Sequence, residues 1–186
     1  MKSSLKKRVF VILRPLKKVE TRRLFESAAA LYRRQCEIAF LLQSFEDPLN
    51  VGSIFRVADA CGASELIFSG TTPIPPHSEI ERTGRGHERR ISWRHIPRLE
   101  DALVLLRDEK YNLIALETTS ESICYLDYKY PEKLCLVLGN ESNGVYSSTL
   151  SYCDASVYIP MFGKGPSMNV HVAAALVAYR ALLGKG

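Results

Sequence analysis

Apolar and polar positions fall into blocks that alternate between two periods. Across residues 20–35, Leu24, Phe25, Ala28, Leu31 and Tyr32 recur at steps of three and four. Arg22, Arg23, Arg33 and Arg34 lie off that stripe, which predicts an amphipathic helix. Ile38-Ala39-Phe40-Leu41-Leu42 is a continuous apolar run of strand length, as expected for a strand buried on both faces. Asp47-Pro48 breaks it, and a helix is predicted over 51–61, closed by Gly62. Further strands are predicted at 66–68, 112–116, 134–138 and 156–159, with helices at 99–110, 147–150 and 170–183. Residues 71–98 hold several prolines and glycines and are expected to form a long irregular region, and a connecting segment precedes residue 134. Strands alternating with helices indicate an α/β fold on a mainly parallel sheet.

The last helix, Val170-His171-Val172-Ala173-Ala174-Ala175-Leu176-Val177-Ala178-Tyr179, has almost no polar face. It must be covered on several sides, and its small residues suit close contact with a second copy of the chain. His171 is expected as a packed or interface histidine.

Length and composition narrow the class. The chain has 186 residues, 46% hydrophobic and 24% charged, which suits one soluble globular domain with a short appendage. No apolar run reaches the roughly 20 residues of a membrane span. Five scattered cysteines (Cys36, Cys61, Cys124, Cys135, Cys153) have neither zinc nor redox spacing, so buried, reduced thiols of a cytoplasmic protein are expected, with no metal. The net charge of +5 is uneven: residues 1–40 carry eleven Lys/Arg against three acids, leaving the rest of the chain slightly acidic. A basic leader on a near-neutral body points to a polyanion, with RNA first in line. A solvated tail and an organellar transit peptide are the other readings of the first residues. Against the latter, Val9-Phe10-Val11-Ile12-Leu13 has the pattern of a strand or ordered anchor.

Candidate chemistry sits in three loops, each following an apolar strand. Asn50-Val51-Gly52-Ser53-Ile54-Phe55-Arg56 offers Asn50 as a helix cap, Gly52 for close approach to the backbone, and Arg56 about one turn on. Leu138-Gly139-Asn140-Glu141-Ser142-Asn143-Gly144 is a glycine-bounded turn whose carboxylate favours a neutral or cationic ligand over a phosphate. Ile159-Pro160-Met161-Phe162-Gly163-Lys164-Gly165-Pro166-Ser167-Met168-Asn169-Val170 places Ser167 and Asn169 at a helix start. None of the three is a phosphate-binding P-loop or a dinucleotide fingerprint.

Taken together, Asn-x-Gly-x-x-x-Arg, Leu-Gly-Asn-Glu-x-x-Gly and Ile-Pro-Met-x-Gly-x-x-x-Ser-Met-Asn-Val resemble the three motifs of the SpoU/TrmH branch of the SPOUT RNA methyltransferases, in that family's order. The resemblance implies a Rossmann-like, mainly parallel sheet with a C-terminal deep trefoil knot. It also implies S-adenosyl-L-methionine as methyl donor, a homodimer through the C-terminal helix, and methylation of a ribose 2′-hydroxyl in RNA. Position by position, Arg56, Glu141, Ser167 and Asn169 match catalytic or near-catalytic residues. Leu116, Gly139, Ile159 and Met168 match positions whose main chain borders the donor, and Asn50 matches the first motif on the RNA side. Ser142-Asn143 and His171 depart from the common pattern.

On this reading residues 1–36 are a basic, partly helical, RNA-contacting extension, and residues 37–186 form the methyltransferase domain. The RNA surface combines Arg22, Arg23 and Arg33 with Arg82, Arg85, Arg89 and Arg90 of the irregular region, and Trp93 either stacks on a base or packs on the body. A guanidinium is always protonated, so Arg56 is expected to grip a phosphate and stabilise oxyanion charge rather than act as a base. Because the small RNA-binding domain of several rRNA-modifying relatives has no counterpart, tRNA is favoured over rRNA. Three other readings stay open: a SPOUT enzyme acting on a base nitrogen, an inactive RNA-binding dimer or assembly factor, and a plain nucleotide-binding protein.

Overall fold

The structure, a computed structural model, describes residues 14–184. The chain divides into two compact units, Met1–Arg33 and Arg34–Gly186. The anchor expected at residues 9–13 lies outside the described residues.

In the first unit, α1 (Lys18–Leu31) is held at its start by Glu20. The Glu20 carboxylate accepts hydrogen bonds from the Lys17 backbone N–H at 2.8 Å and from Arg14 at 2.6 Å. The helix ends before the predicted residue 35, because Tyr32 turns to extended backbone. No residue of α1 is buried, so its stripe of Leu24, Phe25 and Leu31 faces outward.

The second unit is one seven-stranded sheet with every pairing parallel. Its strands are β1 (Glu37–Gln43), β2 (Leu66–Ser69), β3 (Trp93–Ile96), β4 (Asn112–Leu116), β5 (Ile123–Cys124), β6 (Lys133–Leu138) and β7 (Ala155–Tyr158), in the order β3-β2-β1-β6-β4-β7-β5. The central strands β1 and β6 bury every residue after their first, as their unbroken apolar runs require. Side chains alternate between two cores. Ile38, Phe40 and Leu42 join a core with Val51, Ile54, Phe55 and Ala58 of α2 (Pro48–Cys61) and Ala174, Val177, Ala178 and Ala181 of α6 (Val170–Leu183). Ala39 and Leu41 face the other core, with Ala102, Leu103 and Leu106 of α4 (Leu99–Asp108).

Several expectations need correction. Residues 71–98 are not irregular: they contain α3 (Ser78–Gly84), a 3-10 turn at His87–Arg89 and β3. Helix α3 lies so close to α2 that a Cβ on Gly52 would meet the Thr83 side chain, the Ile80 carbonyl oxygen at 2.7 Å and the Gly84 nitrogen at 2.9 Å. What Gly52 admits is therefore a helix, not a ligand. Strand β3 is held by β2, by Trp93 against Phe68 at 5.6 Å, and by Arg94, which bridges Glu65 (2.7 Å) and Glu109 (2.8 Å). Trp93 and Arg94 are thus structural; the pairing raises the Arg94 pKa and lowers that of Glu109. These contacts join residues far apart in sequence, which leaves short elements with little local periodicity.

The cap of α2 is Asp47, whose side chain accepts from the Leu49 N–H at 2.8 Å, with Pro48 in the first turn. Asn50, the expected cap, lies one turn inside and is free for other partners. The two-residue β5 sits in what the sequence presents as a connecting segment. Helix α6 is covered on one side only, leaving Val172, Leu176, Tyr179 and Leu183 exposed at helical spacing. The five cysteines are free thiols, and burial pushes the pKa of Cys61 up to about 11 and that of Cys153 to about 12. Among the described residues no helix is long and apolar enough to cross a membrane.

Candidate active site

Strand register brings the three loops together. Leu42 of β1 pairs with Leu138 of β6, Leu138 pairs with Leu116 of β4, and Leu116 pairs with Val157 of β7. Four neighbouring strands therefore end at one level, and the loops that follow open on the same edge, the usual ligand side of a parallel sheet.

Side-chain amides and carboxylates then sew the loops to one another. Gln43, fully buried at the end of β1, donates from Nε2 to the Gly144 carbonyl at 3.1 Å and accepts at Oε1 from Thr149 at 2.6 Å. Asn140 donates to the Ser44 carbonyl at 2.7 Å and to Glu46 at 3.0 Å, and its Oδ1 accepts from the backbone N–H groups of Ser142 (2.8 Å) and Asn143 (2.9 Å). Glu46 also accepts from the Ser142 hydroxyl at 2.8 Å, and these bonds hold its carboxyl below the usual range. The Ser142 departure from the motif is therefore part of the clasp. Glu141 reciprocates, accepting from the N–H groups of Glu46 (2.9 Å) and Asp47 (3.3 Å) and from the Asn50 amide at 2.8 Å. Asn50 Oδ1 in turn accepts from Asn169 Nδ2 at 3.2 Å, while Asn169 Oδ1 caps α6 by accepting from the His171 N–H at 3.1 Å. One chain, Asn169–Asn50–Glu141, thus links all three motifs. Its hydrogen bonds also fix which way both amides point.

Beside this chain lies a cavity of about 620 Å³, a size that suits a small organic ligand. Its wall includes all four residues assigned to the donor, Leu116, Gly139, Ile159 and Met168, together with Asn50, Glu141, Ser167 and Asn169. Gly139 is required by the chain itself, since a Cβ there would strike the backbone of Gly144 and Val145. Glu117, also in the wall, accepts from the Val145 N–H at 2.9 Å and braces the same turn.

Residues 37–179 match the SpoU rRNA Methylase family. The chain belongs to that family. It is 27% identical over 154 residues to the tRNA (guanosine(18)-2′-O)-methyltransferase of Escherichia coli (strain K12), covering 81% of this chain and 65% of that enzyme. It is 30% identical over 141 residues to the 23S rRNA (guanosine(2553)-2′-O)-methyltransferase RlmP of Bacillus subtilis (strain 168), covering 75% of this chain and 55% of that one. The crystal structure of an AdoMet-bound rRNA methyltransferase from Sinorhizobium meliloti superposes with a TM-score of 0.74 at 28% identity, over 81% of this chain and 57% of that one. The chain thus spans just under two thirds of the Escherichia coli enzyme.

In this SpoU family member, Arg56 stands apart from the other motif residues. It is exposed on α2, outside the cavity wall, and among the described residues its guanidinium has no hydrogen bond or ion pair. It is near enough to His171 to lower that residue's pKa, after burial as the larger cause. His171 Nδ1 is buried without a hydrogen-bond partner among the described residues. Arg82 in α3 and Arg85, Arg89 and Arg90 between α3 and β3 are exposed. Arg82 pairs with Glu79 at 3.3 Å and Arg90 with Asp59 at 3.5 Å. Arg22, Arg23 and Arg33 belong to the first unit, outside the matched region, and Arg22 pairs with Glu26.

Sequence reasoning passed over Gln43, Glu46, Asn140 and Glu117 as functional residues. Gln43 and Glu117 carried a signal, each being a polar residue directly at the carboxyl end of an apolar strand. Glu46 carried none, because its partners lie more than ninety residues away.

Proposed function

We propose that this chain transfers a methyl group from S-adenosylmethionine to a ribose 2′-hydroxyl in RNA. The observation that carries this reading is the Asn169–Asn50–Glu141 chain at the wall of the 620 Å³ cavity. tRNA is tested first, with rRNA beside it, since the Escherichia coli tRNA enzyme and the Sinorhizobium meliloti rRNA methyltransferase each match 81% of this chain.

The cavity chemistry fits the donor. Leu116, Val157, Ile159 and Met168 give apolar walls for an adenine, and the carboxylates of Glu117 and Glu141 favour a ligand with positive charge. When bound, the donor supplies a methyl group on a positively charged sulfur. The transfer is an in-line displacement, so the protein's task is chiefly alignment. Ser167 and Asn169 orient the hydroxyl; each amide atom of Asn169 keeps one hydrogen-bonding valence beyond those already used. Arg56, unpaired and outside the donor cavity, grips the target phosphate and stabilises charge developing on the oxygen. Glu141 acts as the clamp of the three loops, its carboxylate accepting from the Glu46 and Asp47 N–H groups and from the Asn50 amide.

The remaining assignments belong to the same reading. The exposed α6 stripe of Val172, Leu176, Tyr179 and Leu183 takes a second copy of the chain. A C-terminal trefoil knot is the topology this reading assigns to the second unit. Residues 1–36 are an RNA-contacting extension to a 37–186 domain, and Arg22, Arg23, Arg33, Arg82, Arg85, Arg89 and Arg90 grip phosphates. Free thiols, three of them buried, suit the cytoplasm. Calorimetric titration with S-adenosylmethionine, followed by transfer of labelled methyl to unfractionated tRNA and separately to rRNA, tests the reading. Donor binding with transfer to one pool is expected; binding with transfer to neither would leave an RNA-binding protein instead.

A further inference from the structure

Among the described residues, Phe162 is the most exposed large apolar side chain, at 98%. It does no packing, yet it stands on the rim of the site. Its neighbour Met161 lines the cavity, as do Pro166 and Ser167 on the far side of the same short loop. At Gly163 nothing lies within 4 Å of where a Cβ would be, and Lys164 beyond it is exposed. A phenylalanine left wholly in water forfeits the gain of burial, and at this rim its ring is open to a partner.

We propose that Phe162 is the platform on which the base of the target nucleotide stacks, an inference that rests on the ribose-methylation reading above. A 2′-hydroxyl that reaches Ser167 and Asn169 brings its ribose to the rim of the cavity. The donor fills the interior, so the attached base stays outside, beside Met161 and Phe162. Aromatic side chains commonly receive splayed RNA bases in this way, whatever the base, because every base has a flat face. Lys164, two residues along, is placed for a flanking phosphate. Phe162 is not in the cavity wall, which argues against its covering the donor. The apolar face that suits a second copy is the stripe on α6, an element to which Phe162 does not belong.

The test compares Phe162→Ala, Phe162→Leu and Phe162→Tyr with wild type, on whichever RNA pool wild type methylates. Steady-state transfer gives KM for RNA, calorimetry gives donor affinity, and light scattering gives oligomeric state. Loss of a stacked base should raise KM for RNA about tenfold or more in the Ala and Leu variants. Donor affinity should stay unchanged, and Tyr should restore KM. Four results would overturn the proposal. KM could stay at the wild-type value in Ala, or Leu could restore it, showing an apolar contact and not stacking. Donor affinity could fall with KM, making Phe162 a cover for the donor. Ala could lose an oligomer that wild type forms, making the occupant a second copy. If wild type methylates neither pool, the functional reading falls and takes this proposal with it.

Discussion

Asn50 holds the site together with one amide. Removing it in Asn50→Ala breaks the hydrogen bonds to Glu141 and from Asn169, both solvent-accessible residues, at about 0.5–1.5 kcal/mol each. We expect a lower urea midpoint and loss of methyl transfer, with the cavity walls themselves intact. Arg56→Ala should behave oppositely. Its guanidinium supports no contact in the fold, so thermal melting should be unchanged, while turnover falls about a hundredfold, the usual cost of losing one charge-stabilising donor. His171 provides a pH signature. Its pKa is lowered in the folded protein by burial and by Arg56, so folding favours its neutral form. That stabilisation is complete above the unfolded value of about 6.5 and is lost as pH falls through the lower folded value. Between pH 7 and pH 5, His171→Asn should therefore lose less thermal stability than wild type; equal losses would remove His171 from this linkage. At this scale the sequence was informative about which polar residues converge, since Asn50, Glu141, Ser167 and Asn169 all reach one cavity wall. It was less informative about what they do: Asn50 was read as a cap, and the clasp of Glu46 with Asn140 and Ser142 joins loops that only the fold brings into contact.

Elements were legible in proportion to their length and burial. β1 and β6 announce themselves because a strand buried on both faces must be apolar at every position, and α6 because Gly and Pro bound a long apolar run. α3, β3 and β5 did not, being short and held by α2, β2 and β7 rather than by their own pattern. The two motif glycines belong to this scale. Gly52 lets α3 lie against α2, and Gly139 lets the 139–145 turn close on its own backbone. Gly52→Ala should cost about 1–3 kcal/mol, as overpacking does when the obstructing atoms are backbone that cannot rotate away. Gly139→Ala should do the same and disturb the donor cavity as well. Denaturation midpoints combined with donor titration separate the two: Gly52→Ala loses stability with donor affinity kept, Gly139→Ala loses both.

For the molecule as a whole, the α6 stripe is exposed and the arginines from Arg82 to Arg90 present their charge to solvent. Leu176→Asp should convert a dimer to a monomer in light scattering, and a wild type that is already monomeric would remove the second copy from the account. RNA affinity should fall steeply with salt, since phosphate contacts release counterions. The central claim is that the three sewn loops deliver a ribose hydroxyl to a methyl donor, and product identity tests it most directly. Wild type and Asn50→Ala would each be incubated with labelled S-adenosylmethionine and the RNA pool, and the RNA digested to nucleosides for mass analysis. A 2′-O-methylnucleoside is expected from wild type and little or none from Asn50→Ala. A methyl group on a base, or an undiminished 2′-O-methyl product from Asn50→Ala, would contradict it.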